Sequence, residues 1–229
     1  MPTLVTSYFA QSAVFGDTST LSTPSFTPST GEVIVVKAAT WDSGTASGTP
    51  SGGSLTYTRR STAAPGGFNG YCTIFTAPVA SSPGSMTVTL SAPAGSSYHS
   101  MVVERWLNAS VAGTPATNST ITGSGAPSAT ITTTGANSIL TWAIVDENSR
   151  DPTGRAYLSS ATEDGLADGH VSTSSVHYYA YQTAATAGSQ TIGMSSPNTQ
   201  AWTMTGIEIL DAPANTAIRG AFMPFFDSL

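Results

Sequence analysis

Apolar residues in this chain come in short runs, and many alternate with polar ones at a period of two. Met86, Val88 and Leu90 alternate with Thr87 and Thr89, which predicts a half-buried strand with a threonine-lined outer face. Leu55 and Tyr57 alternate with Thr56 and Thr58, and Tyr71, Thr73 and Phe75 oppose Cys72, Ile74 and Thr76. Val33-Ile34-Val35-Val36 is apolar on both faces, so it predicts a central strand covered on both sides. Met101–Val103 and Ile139–Val145 have the same character, and Val176–Tyr181 and Ala201–Leu210 complete this set. Less apolar strands are expected near Leu4–Phe9, Ser128–Thr133, Ala156–Ser160 and Gln190–Met194.

Between these runs lie Ser-Gly-Thr-Pro-Ser-Gly-Gly (47–53), Ala-Pro-Gly-Gly (64–67), Ser-Ser-Pro-Gly (81–84) and Ala-Pro-Ala-Gly (92–95), all turn chemistry. No amphipathic helical pattern intervenes. The spacing therefore predicts an all-β fold, an antiparallel jelly-roll-type β-sandwich of about 8–10 strands. The stretch from Ala109 to Gly135, rich in Thr, Ser, Ala and Gly, is read as a surface strand pair within one sandwich. No internal repeat of fixed short period is visible. Pro213 stops the last strand, which divides the chain into a sandwich domain, 1–211, and an extended C-terminal segment, 212–229.

Composition narrows the function classes. The chain has 229 residues, a formal net charge of −6 and only 9% charged residues. Seven scattered basic residues give no phosphate-binding footprint, so nucleic acid is not an expected partner. No apolar run is long enough to span a bilayer, so no membrane association is expected, and Met1-Pro2-Thr3-Leu4 does not read as a secretory leader. A single cysteine, Cys72, excludes a disulfide framework and is read as a small core residue. The chain has one lysine, Lys37. Lysine is the usual guard of sheet edges, so edges covered by neighbouring subunits, and hence a homo-oligomer, are expected.

Candidate chemistry is sparse. No nucleophile elbow, no zinc-protease helix motif and no phosphate-cradling glycine loop occurs. Three histidines, His99, His170 and His177, have serines near them by abundance alone, and His177 is expected in a sheet-surface aromatic row with Tyr179 and Tyr181. Asp146, Glu147, Asp151, Glu163, Asp164 and Asp168 form an acidic stretch in which Arg150 and Arg155 offer ion pairs. Loop structuring by salt bridges is the expectation there, with Ca²⁺ binding or a glycosidase carboxylate pair as alternatives. No catalytic residue, metal site or cofactor is expected. Trp142, Trp106 and Trp202 lie in predicted strands and read as core, whereas Trp41, before a Gly/Ser loop, is the candidate for stacking on a glycan. The sequons at Asn108 and Asn118 mean little without a secretory route. The C-terminal segment carries Phe222, Met223, Phe225 and Phe226, an apolar cluster suited to docking on a partner or folding back on its own sandwich.

The order of these patterns resembles a known group. Ser25-Phe26-Thr27-Pro28-Ser29-Thr30-Gly31 leads into Val33–Val36 and then Trp41-Asp42; Ile74-Phe75-Thr76-Ala77-Pro78 leads into Met86–Thr89. Leu140–Asp146 is followed by Asp151-Pro152-Thr153-Gly154-Arg155 and later by Tyr178-Tyr179-Ala180-Tyr181. Over residues 1–211 this is similar to β-sandwich modules in virion proteins of actinobacterial tailed bacteriophages, often labelled minor tail proteins. The resemblance implies a non-enzymatic structural subunit of a virion, on the tail or as a head decoration, with other virion proteins as partners. It supplies no catalytic residue. The chain shows no collagen-like or coiled-coil stalk such as many tail fibres carry, which weighs against a fibre and leaves a compact tail-tip or head-decoration subunit open. The alternative is a carbohydrate-binding module for host cell-surface glycan, using Trp41 and the acidic stretch.

Overall fold

The structure is a computed structural model and describes residues 1–14, 16–17, 19–41, 45–65, 70–93, 98–111, 116–120 (backbone only), 125–147, 152–169 and 175–212. Sixteen strands occur among them. The first seven are β1 (Thr3–Gln11), β2 (Leu21–Ser22), β3 (Val33–Trp41), β4 (Thr58–Ala63), β5 (Tyr71–Pro78), β6 (Thr89–Leu90) and β7 (Tyr98–Leu107). The remainder are β8 (Ala109–Ser110), β9 (Ala116–Thr120), β10 (Ser128–Thr133), β11 (Ser138–Glu147), β12 (Ala156–Tyr157), β13 (Thr162–Gly169), β14 (Ser175–Ala184), β15 (Gly188–Ser196) and β16 (Trp202–Asp211). The single helical element among the described residues is a 3₁₀ turn at Pro152–Gly154.

All strand pairs are antiparallel. One large sheet has the order β1-β7-β3-β5-β4, and a second runs β13-β14-β11-β16, with β8 and β9 both bonded to β16. Two small sheets, β2-β6 and β10-β15-β12, lie outside them. The cores define four layers. Ile34, Val36, Ala38, Phe75, Met101 and Val103 face the β2-β6 layer, where Leu21, Leu90, Phe26 and Val88 meet them. Leu140, Trp142, Ile144, Tyr178 and Met204 face Ala129 and Ile131 of β10 and Ile192 and Met194 of β15.

The two large sheets pack on each other through their remaining faces. Val33, Val35, Ile74 and Trp106 meet Ile139, Ile207 and Ile209, while Ala39, Cys72 and Val102 meet Ala143, Val145 and Tyr179. This is why the central strands are apolar on both faces: every residue of β3 from Val33 to Thr40 is buried, and so is every residue of β11 from Ser138 to Asp146. A strand between two layers has no solvent face to reward alternation.

The two halves of the chain repeat one topology. In the first half β3 lies between β5 and β7, β1 flanks β7, and β4 flanks β5. In the second half β11 lies between β14 and β16, β9 flanks β16, and β13 flanks β14. The small sheets follow suit. β2 pairs β6, which also bridges Ser51, as β10 pairs β15, which also pairs β12. Val33 and Ser138, Thr58 and Thr162, Tyr71 and Ser175, and Tyr98 and Trp202 open corresponding strands.

The all-β antiparallel sandwich matches the expectation, with more strands than the pattern predicted. Four differences have physical causes. Leu55–Tyr57 is a turn-and-coil segment whose apolar side chains plug the first core, and the strand starts only at Thr58. Met86 forms an isolated bridge to Phe26, so the 86–90 alternation yields a strand only at Thr89–Leu90. The acidic stretch Thr162–Gly169 is a strand, recruited by pairing with β14 along its length. His177 and Tyr179 are fully buried between the large sheets, and Tyr181 packs partly buried against the same interface, so this row is an internal seam and not a sheet-surface row.

Candidate functional site

The most concentrated polar chemistry among the described residues lies between the two large sheets. Lys37 sits on the inward face of β3, where Val35 and Ala39 are its apolar neighbours on the same side. Its Nζ donates to Glu104 Oε1 on β7 at 2.6 Å and to Asp164 Oδ1 and Oδ2 on β13 at 2.7 and 2.9 Å. The Ala180 carbonyl lies 3.5 Å away. Side-chain exposure is 0% for Lys37 and Glu104 and 3% for Asp164. Glu104 also accepts from Thr141 Oγ1 of β11 and from Trp106 Nε1, each at 2.8 Å. The three ionisable groups therefore come from both halves of the chain.

A β-bulge aims Asp164 inward. Glu163 pairs with Ala180 and Gly165 with Tyr179, so Asp164 is the extra residue at the shift. Gly165 then lies against the first sheet: a Cβ there would stand 2.4 Å from Val102 Cγ2 and 3.2 Å from Tyr179 Cδ2. Burial raises the Asp164 carboxyl to about 8, against the opposing pull of the Lys37 ammonium, with Glu104 adding to the rise. Burial alone would push Lys37 down, but Asp164 and Glu104 hold its ammonium above the ordinary value.

The residues singled out from sequence are dispersed. Trp41 ends β3 opposite Tyr98, half-buried against the Ala39–Cys72–Val145 cluster. Phe222, Met223, Phe225 and Phe226 lie outside the described residues, as do Asp42, Arg150, Asp151 and His170. Trp106, Trp142 and Trp202 are core, and Cys72 is buried with its thiol pushed up by that burial.

The acidic stretch divides into separate environments. Arg155 forms a two-pronged pair with Glu163, Nε–Oε2 2.5 Å and Nη2–Oε1 2.8 Å, and Tyr157 OH donates to the same carboxylate at 2.8 Å. Burial pushes Glu163 up, but these donors outweigh it and hold the carboxyl below its ordinary value. Asp146 is fully buried at the end of β11, and neither carboxylate oxygen has a hydrogen-bond partner among the described residues. Asp168 is exposed. Among the described residues no group of three His, Cys, Asp or Glu side chains could hold a metal ion.

Among the described residues, a serine hydroxyl meets a histidine ring in the interior. Ser100 Oγ lies 2.6 Å from His177 Nδ1 and 2.6 Å from Tyr179 OH, with all three residues fully buried. Burial pushes His177 down to about 3, so the imidazole is neutral. Closed off from solvent, this trio ties β7 to β14. On the surface, a groove between the turn at Gly52–Thr56 and the 78–87 segment is lined by Leu55, Pro83, Met86, Ser and Thr side chains.

Sequence reasoning did not assemble Lys37, Glu104 and Asp164. The signal was the lone lysine inside a run apolar on both faces, a position that a cation occupies only with buried anionic partners. In the comparisons with known proteins, no family model, no curated protein and no solved structure matches the chain.

Proposed function

We propose that this chain is a non-enzymatic structural subunit of a bacteriophage virion, a minor tail or head-decoration protein that docks through its C-terminal aromatic segment. The observation that carries the reading is the four-layer block itself. Two sandwiches of one topology are fused face to face, and the polar residues buried between them bridge strands of both halves. The reading takes each half as a jelly-roll-type unit, supported by pairing in which the first strand joins the seventh and the second joins the sixth.

The surface suits assembly. The edge strand β1 exposes Val5 (46%) and Phe9 (39%), and Leu107 (38%) sits opposite its first residue. No lysine guards that edge, since Lys37 is interior. The described chain leaves the block at Ala212, whose amide donates to the Asn108 carbonyl at 2.9 Å, on the same side as β1. Residues 213–229 follow from that point.

Size-exclusion chromatography with light scattering on the full chain and on residues 1–212 tests the reading, with particle-loading as the second arm. The full chain should self-associate or load onto particles, and the truncation should be a monomer of unchanged melting temperature that does not load. Truncated protein that loads at full occupancy would overturn it. A carbohydrate-binding module is the second reading, favoured by the hydroxyl-rich groove. It requires binding to a cell-wall glycan panel that truncation at 212 leaves intact.

A further inference from the structure

We propose that Lys37 and Asp164 join spontaneously into an intramolecular amide, with Glu104 carrying the proton, so that the two halves of the chain are covalently linked at their interface. Lys37 Nζ faces both Asp164 oxygens at 2.7 and 2.9 Å and Glu104 Oε1 at 2.6 Å, inside a site that the two sheets close on every side. In water an amine and a carboxylic acid do not condense, because both ionise and because water opposes its own release. Here the site acts on both obstacles, with Asp164 kept as the acid and Glu104 placed to take the proton that the Lys37 ammonium must lose. It disfavours separated charge, and the apolar walls hold the reacting groups together while excluding bulk water. Held reactants of this kind gain effective concentrations of about 10⁵–10⁸ M over free ones.

The steps balance. The Lys37 ammonium gives one proton to the Glu104 carboxylate, leaving a neutral amine. Asp164, kept as the acid by burial, turns its carboxyl face to Nζ, and the nitrogen lone pair forms the N–Cγ bond. Glu104 donates its proton to the departing hydroxyl, the C–O bond breaks, and one water leaves. The nitrogen then returns its surplus proton to Glu104. The products are a neutral amide, a neutral Glu104 carboxylic acid and one water, with no oxidant or other reactant involved. A buried ammonium and a buried carboxylate have both disappeared, which favours the forward direction. Glu104 is held for this task by Thr141 and Trp106, each 2.8 Å from one of its oxygens.

Intact-mass spectrometry of the purified, fully denatured full chain tests the proposal. The wild type should be lighter than its sequence by one water, and proteolysis should release a branched peptide joining the Lys37 and Asp164 segments. Lys37→Arg, Asp164→Ala and Glu104→Ala should each have the unmodified mass. A wild-type chain of unmodified mass overturns the proposal, whether or not the variants fold. Loss of water confined to an unbranched peptide, such as a succinimide at Asp164-Gly165, overturns it too, as does water loss that persists in Lys37→Arg.

Discussion

Arg105 on β7 and Glu208 on β16 hold corresponding places in the two halves and secure the same loop with opposite chemistry. Arg105 pairs with Ile34, the second residue of the central strand β3, and Glu208 pairs with Leu140, the third residue of β11. Arg105 reaches back to Glu32 through two bonds of 2.8 Å and to the Thr27 carbonyl at 3.0 Å. Glu208 reaches back to the Thr134 and Gly135 amides and to Thr134 Oγ1 at 3.0–3.1 Å. Each side chain ties the last long strand of its half to the loop that feeds the central one. The repeated topology thus extends to a repeated mechanical solution, although the residues share no chemistry.

Glu208→Ala should therefore destabilise the second half specifically. Two amides and one hydroxyl lose their acceptor in a loop pressed so close that a Cβ on Gly135 would stand 2.8 Å from Leu210 Cδ2. Thr134 is exposed and Gly135 half-buried, so water replaces part of what is lost, and the cost is about 0.5–1.5 kcal/mol. Urea denaturation should show that loss, and hydrogen exchange should rise at Thr134 and Gly135 first. Glu208→Gln retains one acceptor oxygen and should lose less. An unchanged denaturation midpoint for Glu208→Ala would contradict the assignment.

Asp146→Asn should stabilise the protein at mildly alkaline pH. Burial, with a smaller contribution from Glu147, raises the Asp146 carboxyl from 3.8 to about 8. Across that interval the folded chain holds a proton that the unfolded chain has released, so stability falls as pH rises from about 4 to about 8. Asparagine mimics the protonated acid and removes this slope. The gain should rise to about 5 kcal/mol at most above pH 8 and be absent below pH 4. His177, pushed down to about 3, acts in the opposite sense between there and its ordinary 6.5. The difference between variant and wild-type stability curves cancels that contribution and isolates Asp146. A flat difference curve would show that Asp146 is not buried as a neutral acid.

Much of the framework was legible because burial on two faces leaves a direct trace in sequence. Val33–Val36 and, apart from Thr141, Ile139–Val145 are apolar at consecutive positions, and both lie in central strands of a four-layer stack. The duplication left no such trace. Corresponding strands are set by pairing partners, and positions as close in role as Arg105 and Glu208 carry unlike residues. Thr-Glu-Asp-Gly-Leu-Ala-Asp-Gly reads as an acidic loop, since Gly and Asp are turn formers. It is nonetheless a strand because β14 supplies a ladder and Lys37 supplies a cation for the bulged Asp164. That contact spans most of the sequence, and local pattern cannot report it.

Gly193→Ala should be among the costliest small substitutions in the second half. Gly193 lies on β15 opposite Ser128 of β10, with φ +126°, a conformation that side chains rarely adopt. A Cβ there would stand 2.1 Å from the Pro127 carbonyl oxygen and 2.8 Å from Ser128 Cα, so the obstruction is backbone and cannot rotate away. The same Pro127 carbonyl accepts from the Met194 amide at 2.8 Å, and the Gly193 carbonyl accepts from Leu158 at 2.9 Å. Relieving the clash therefore means breaking the junction that holds β10 and β12 on either side of β15. Backbone strain of this kind costs on the order of 1–3 kcal/mol before any lost bond is counted. Gly154→Ala is the matched control: no atom lies within 4 Å of its Cβ position, and its melting temperature should stay at the wild-type value. Thermal denaturation of the two variants side by side makes the comparison. Equal melting temperatures would mean that β10 and β15 do not approach as closely as the structure places them.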